Sequence, residues 1–202
     1  MYLPEIFRIT DQDVLLEFVH THSFGQLVTV RESRPHISQL PFVLTDGVLQ
    51  GHLALANPQA AHLEDDTQAW AIFNGAHAFI SSSCYAPPSG IATWNYMTVH
   101  IEGRLRRIKD ETELWSQLDT LTRIYESSEH VEELLSVAHA KGALLQKIVG
   151  FELRIERMEG KFKLSQNRSP EDRERIICDL QQRNDTNAQQ ISTAMLNLSS
   201  TQ

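Results

Sequence analysis

TWNYMTVHIEGRLRRI, residues 93–108, is the stretch from which the fold class follows. Read with a period of two, it is one long β-strand with two unlike faces. Asn95, Met97, Val99, Ile101 and Leu105 fall on one face, and Trp94, Tyr96, Thr98, His100, Glu102 and Arg104 on the other. The first is a core face. The second, polar and aromatic, meets something wet, such as a ligand or a partner subunit.

Further strands lie on either side. FGQLVTVRE (24–32) and HISQLPFVL (36–44) have strand patterns, and Thr45-Asp46-Gly47 forms the turn into VLQGHLALA (48–56). AWAIFN (69–74) and HAFIS (77–81) read as two strands bent apart at Gly75. The last strand is IVGFELRIERMEGKFKLS (148–165), with Phe151, Leu153 and Ile155 inward.

Helix signals sit around this β structure. Thr10 and Asp13 have capping-box spacing ahead of the stripe Val14, Leu15, Phe18 and Val19. Asn57 and Pro58 start a short helix to Leu63, and Asp110 caps one carrying Leu114, Leu118, Leu121 and Tyr125. One or two more cover Ser128 to Lys147. Ser169-Pro170 opens a helix with Ile176, Ile177 and Leu180, and a final helix carries Ile191, Met195 and Leu198. The prediction is a mainly β, α+β chain: a small β-barrel of six or seven strands with peripheral helices. It forms one domain over residues 1–202, with a helical insertion at about 110–147 and a C-terminal helical extension at about 169–202.

Composition narrows the function. No apolar run approaches the length of a membrane span, and MYLPEIFRIT is no signal peptide. Cys84 and Cys178 are far apart without a CxxC, so a reducing cytoplasm is the expected location. The net charge of −8 has the wrong sign for attraction to DNA. From Lys161 to Arg183, however, six Lys/Arg face four Asp/Glu, a local excess of +2.

That excess begins in MEGKFKLSQNR, residues 158–168. Alternation puts Phe162 and Leu164 on one side and Lys161, Lys163 and Ser165 on the other, the ammonium groups about 7 Å apart. Gln166, Asn167 and Arg168 follow. Two cations, a hydroxyl and two amides make a compact anion surface suited to a phosphate-bearing ligand, where the plainer reading is a solvated strand end. Metal is disfavoured: His20 and His22 do not share a helix face, and His52, His77 and His100 lack ligand spacing. Ser81-Ser82-Ser83 lacks the GxSxG elbow of a serine nucleophile.

Four stretches carry a resemblance to a known family: MYLPEIFRITD at 1–11, LPFVL with GHLALANPQ at 40–59, IFNGAHAFIS with TWNYMTVHIEG at 72–103, and IVGFELRIERMEGKFKLSQNR at 148–168. Their order and wording resemble the PaiB family, FMN-binding negative transcriptional regulators of the pyridoxamine-phosphate-oxidase-like split-barrel group. The family's usual GPHAYIS is here GAHAFIS, the tryptophan common just after it is replaced by Cys84, and ANPQ is followed by Ala60.

The resemblance implies an FMN-binding split β-barrel with C-terminal helices, working as a homodimer with the flavin at the subunit interface. It implies a cofactor set of Ser38, Leu40, Gly51, His52, Leu53, Asn57, Trp94, Asn95, Tyr96, Lys161, Lys163, Ser165 and Gln166. In that set Gly51 lets a ligand approach the backbone, Asn57 brings the free N–H groups of a helix start, and Trp94, Asn95 and Tyr96 come from the second subunit. The leading function is a regulatory flavoprotein of PaiB type, with direct DNA contact opposed by the net charge. The alternatives are a flavin-dependent oxidoreductase acting on a small molecule and, in a related barrel, a haem-binding protein.

Overall fold

The computed structural model describes residues 1–86, 90–127, 130–131 and 142–199. In chain order the elements are β1 (Arg8–Ile9), α1 (Gln12–Thr21), β2 (Phe24–Arg31), β3 (Arg34–Pro41), β4 (Val43–Thr45), β5 (Val48–Ala54) and β6 (Gln68–Ile80). Then come β7 (Thr93–Ile108), α2 (Glu111–Tyr125), β8 (Ile148–Lys163), α3 (Pro170–Gln182) and α4 (Thr186–Ser199). One sheet runs in the order β3-β2-β6-β7-β8-β5-β4, with β1 paired to β8. Among the described residues no helix is long and apolar enough to cross a membrane.

The chain folds as two compact units. The first comprises Met1–Phe18, Asn74–Val99 and Glu159–Gln202, and the second Val19–Phe73 and His100–Met158.

In the second unit two tight hairpins set the register. Glu32 and Ser33, at φ 50° and 61°, join β2 to β3, and Asp46 and Gly47, at φ 49° and 77°, join β4 to β5. Positive φ at both turn positions matches the twist of the flanking strands. The predicted strand 36–44 is two strands, because the chain leaves β2 after Pro41 and joins β5 from Val43. At the switch, Phe42 donates its N–H to the Ser23 carbonyl at 2.8 Å. Its ring packs edge-on against Phe73 at 5.2 Å and Phe151 at 6.2 Å, in the core with Leu27, Leu49 and Leu153.

Asp110 caps α2 as expected, its Oδ1 accepting from Glu113 N at 2.9 Å. Leu114 is buried, but Tyr125 is exposed, so the apolar stripe covers only the helix's first turns. The helices expected between Ser128 and Lys147 lie largely outside the described residues; Gly142–Lys147 forms a 3-10 turn.

In the first unit β1 lies antiparallel to β8, with Arg8 opposite Lys161 and Ile9 opposite Gly160. The cap of α1 is Asp11 rather than Thr10: its Oδ1 accepts from Asp13 N at 2.9 Å. Leu15 and Phe18 are buried, while Val14 faces outward. Ser169 caps α3, which packs on α4 through Ile176, Leu180, Ile191 and Met195.

The break expected at Gly75 is absent, since β6 runs unbroken from Gln68 to Ile80. What changes there is the facing. Buried positions pass from Ala69, Ala71 and Phe73 to Ala76, Ala78 and Ile80, so the strand buries one face before Gly75 and the other after it.

Candidate cofactor-binding site

In the first unit the end of β8 projects Lys161 and Lys163 from one face. Lys161, only 9% exposed, donates through Nζ to the Tyr2 carbonyl at 3.1 Å. Its ammonium lies 5.2 Å from the Tyr2 ring and 5.5 Å from the Tyr96 ring, within cation–π range. Lys163 donates to Thr93 Oγ1 at 2.8 Å and to the Trp94 carbonyl at 2.6 Å. Burial, with Arg168 and Lys161 nearby, holds the Lys163 pKa below its ordinary value.

Two further cations belong to this face. Arg168 stacks 4.4 Å from the Tyr85 ring. Arg8 stands directly across the β1–β8 ladder from Lys161, so both side chains leave the same face. Arg8 pairs with exposed Glu5 at 3.0 Å. Among the described residues, no carboxylate pairs with Lys161, Lys163 or Arg168. Like charges this close destabilise one another, and each ammonium keeps spare donors, so the face is chemically suited to a phosphate. Sequence reading missed Arg8 and the stacking of Arg168 because their partners, Lys161 and Tyr85, are remote along the chain.

Trp94 is 51% exposed and adjoins His77 and Phe79, each ring centroid 5.8 Å away. Asn95 and Ser165 are placed differently. Both are buried, with Asn95 Nδ2 3.0 Å from Ser165 Oγ and Ser165 Oγ 3.1 Å from Asn95 Oδ1. They pin the start of β7 to the turn after β8, where Ser165 has φ 61°. Gln166 folds back on the strand end, Oε1 accepting from Leu164 N at 2.7 Å and Nε2 donating to the Phe162 carbonyl at 2.5 Å.

The remaining candidates lie in the second unit. Leu40 and Leu53 are core residues. A Cβ on Gly51 would meet Leu40 Cδ1 and Phe151 Cζ at 2.8 Å, so core packing, rather than ligand approach, accounts for the glycine. Asn57 Nδ2 donates to Ser38 Oγ at 2.8 Å, and its Oδ1 accepts from Gln59 N at 2.9 Å. The expected free N–H groups of a helix start are therefore not there: Pro58 has none, Asn57 takes the next, and Pro58–His62 is a 3-10 turn. Half-buried His52 has its pKa pushed down by burial.

A buried network that sequence reading missed seats this turn. Gln59 Nε2 donates to Leu27 O at 3.2 Å, Thr29 Oγ1 at 3.0 Å and His36 O at 3.0 Å. Thr29 Oγ1 lies 3.0 Å from His62 Nδ1. The Thr29 hydroxyl can donate to that ring nitrogen or accept from it, so the contact ties His62 into the network in either tautomer. Burial, then His36 and Arg31, lower the His62 pKa, consistent with a neutral ring. Among the described residues no group of three or more His, Cys, Asp or Glu could hold a metal ion.

Comparison with known proteins identifies the relatives of this arrangement. Residues 1–157 match the model of the family described as "Putative FMN-binding domain". The chain belongs to that family. It is 33% identical to "Protease synthase and sporulation protein PAI 2" of Bacillus subtilis (strain 168) over 201 residues, covering 96% of each chain. The relation to the PaiB family expected from the four motifs therefore holds. The family match stops short of Lys161, so the cation face is carried by this chain's own geometry.

Solved structures share the fold at low identity. The flavocytochrome Anf3 from Azotobacter vinelandii matches with a TM-score of 0.63 at 17% identity, over 77% of this family member and 69% of that chain. The conserved hypothetical protein Rv2991 from Mycobacterium tuberculosis matches with a TM-score of 0.59 at 13% identity, over 84% and 94%. The fold is the split-barrel class, an antiparallel sheet with C-terminal helices.

Proposed function

We propose that this chain is an FMN-binding homodimer with a regulatory role, the flavin phosphate held on the face of Lys161, Lys163 and Arg168. Trp94 and Tyr96 of one copy line the ring, and Ser38, His52 and Asn57 of the other supply polar contacts. Asn95, Ser165 and Gln166 shape the strand ends that present the cations, and Leu40, Gly51 and Leu53 form the floor behind Ser38 and His52. The observation that carries this reading is the cation face without a carboxylate partner, beside exposed aromatic surface. FMN asks for cations at its phosphate and a flat apolar wall for its ring, and these residues fit both demands.

The dimer reading rests on β2 and β3. Phe24, Val30 and Ile37 are 63%, 49% and 61% exposed on their outward side. Cross-strand neighbours continue that side as Phe24–Pro41, Val28–Ile37 and Val30–Pro35. An apolar sheet face of this kind is suited to a second copy. The regulatory role draws on the name of the Bacillus subtilis relative, which ties that protein to protease synthesis and sporulation. The net charge of −8 favours action through a partner over direct contact with DNA.

Comparing FMN with riboflavin, which lacks the phosphate, tests the assignment. FMN should bind at least about tenfold tighter at low salt, the gap closing as salt rises. Equal affinities would overturn the phosphate site.

A further inference from the structure

A second concavity in the first unit lies on the opposite side of β8 from the lysines. It is a cleft of about 490 Å³ beside β1, the start of α1, β7, β8 and α4. Phe162, on β8, and Leu164, the residue that follows its end, form the floor and alternate with Lys161 and Lys163, so the cleft and the cation face lie on opposite sides of this segment. Val14, Met97 and Leu198 add apolar walls. Val14 is 41% exposed although it belongs to the apolar stripe of α1, because the space beside it is not filled by side chains of the described residues. The volume falls within the range of small-molecule sites, which runs from about 300 to 1,000 Å³.

The polar groups at the mouth select the ligand. Asp11 uses Oδ1 to cap α1, accepting from Asp13 N at 2.9 Å and Val14 N at 3.4 Å, while its Oδ2 has no hydrogen-bond partner among the described residues. The Thr10 hydroxyl beside it has none either. Arg8 also borders the cleft, but its position opposite Lys161 directs the guanidinium to the other face. Apolar walls with a carboxylate oxygen and a hydroxyl at the mouth match a molecule that ends in hydrogen-bond donors and carries positive charge.

We infer that this cleft is a binding site for a small primary amine on an apolar body, its ammonium at Asp11 and Thr10 and its hydrocarbon over Phe162 and Leu164. The site is independent of the flavin reading. A cation has no affinity for the lysine face, so an amine that binds reports on the cleft. Because both sites share the segment 161–164 at the end of β8, an amine bound here touches the reverse side of the chain that faces the proposed phosphate.

Calorimetric titration of the full chain with hexylamine, hexanol and hexanoate tests the inference. Hexylamine should bind tightest, hexanol more weakly and hexanoate weakest. Asp11→Asn preserves the helix cap, since asparagine caps as well as aspartate, and should weaken hexylamine at least fivefold while leaving hexanol unchanged. Val14→Trp at the exposed wall and Ala194→Phe on α4 should each reduce binding of both ligands at least tenfold in protein with an unaltered circular dichroism spectrum. Three outcomes would overturn the inference: neither hexylamine nor hexanol binds, hexanoate binds as tightly as hexylamine, or Val14→Trp leaves hexylamine binding intact.

Discussion

The ammonium of Lys163 lies 2.6 Å from the backbone carbonyl of Trp94, tying the end of β8 to the start of β7. The same contact fixes the charge beside an exposed aromatic ring and partly withdraws it from water. Holding a cation there, with Lys161 and Arg168 close by, is a cost that a phosphate bound as proposed would offset.

FMN affinity should therefore depend on pH in a defined direction. In the free protein the Lys163 pKa is lowered by burial first and by Arg168 and Lys161 next, whereas a phosphate in the site favours the charged form. The complex then holds more protons than the free protein, so affinity falls as pH rises, beginning below the range in which an ordinary lysine titrates. Lys163→Arg keeps its charge throughout and should flatten this slope. Dissociation constants measured across the alkaline range check it, and a slope unchanged by Lys163→Arg would remove Lys163 from the phosphate contact.

Asn95 and Ser165 should behave as one unit. Removing either side chain leaves a buried partner unsatisfied, at about 1–3 kcal/mol, whereas removing both abolishes the mismatch. Denaturant unfolding of Asn95→Ala, Ser165→Ala and the double variant should show the double costing clearly less than the sum of the singles. Additive losses would mean that the pair is not coupled.

The outward face of β2 and β3 gives a test of self-association. Ile37 stands there 61% exposed opposite Val28, so Ile37→Lys should leave the monomer's stability within about 0.5 kcal/mol. Sedimentation equilibrium should show twice the chain mass of 23.0 kDa for the unaltered protein, and the monomer mass for the variant at equal concentration. A monomer in both cases would discard the dimer.

How far the sequence could be read follows from how local each feature is. The bounds of β7, Thr93–Ile108, coincide with the run of alternating residues, and Thr45-Asp46-Gly47 marked its hairpin, because both depend on neighbours in the chain. Gly75 misled because a glycine can sit inside a strand without ending it. The split at Phe42 depends on which strands lie on either side, and β1, two residues long, has no pattern of its own. Within the candidate site Lys161 and Lys163 were legible from spacing alone. The burial of Asn95 with Ser165, the filling of the space at Gly51 by Leu40 and Phe151, and the alignment of Arg8 with Lys161 are long-range facts that no local spacing encodes.

The central claim is that cations at the end of β8 hold a flavin phosphate, and titrating FMN with the protein while following the quenching of flavin fluorescence tests it most directly. Binding should be saturable and weaken at least about tenfold, or about 1.4 kcal/mol, in the Lys161→Ala/Lys163→Ala double variant, with its circular dichroism spectrum unchanged. No quenching by the unaltered protein, or equal affinity in a folded double variant, would contradict it.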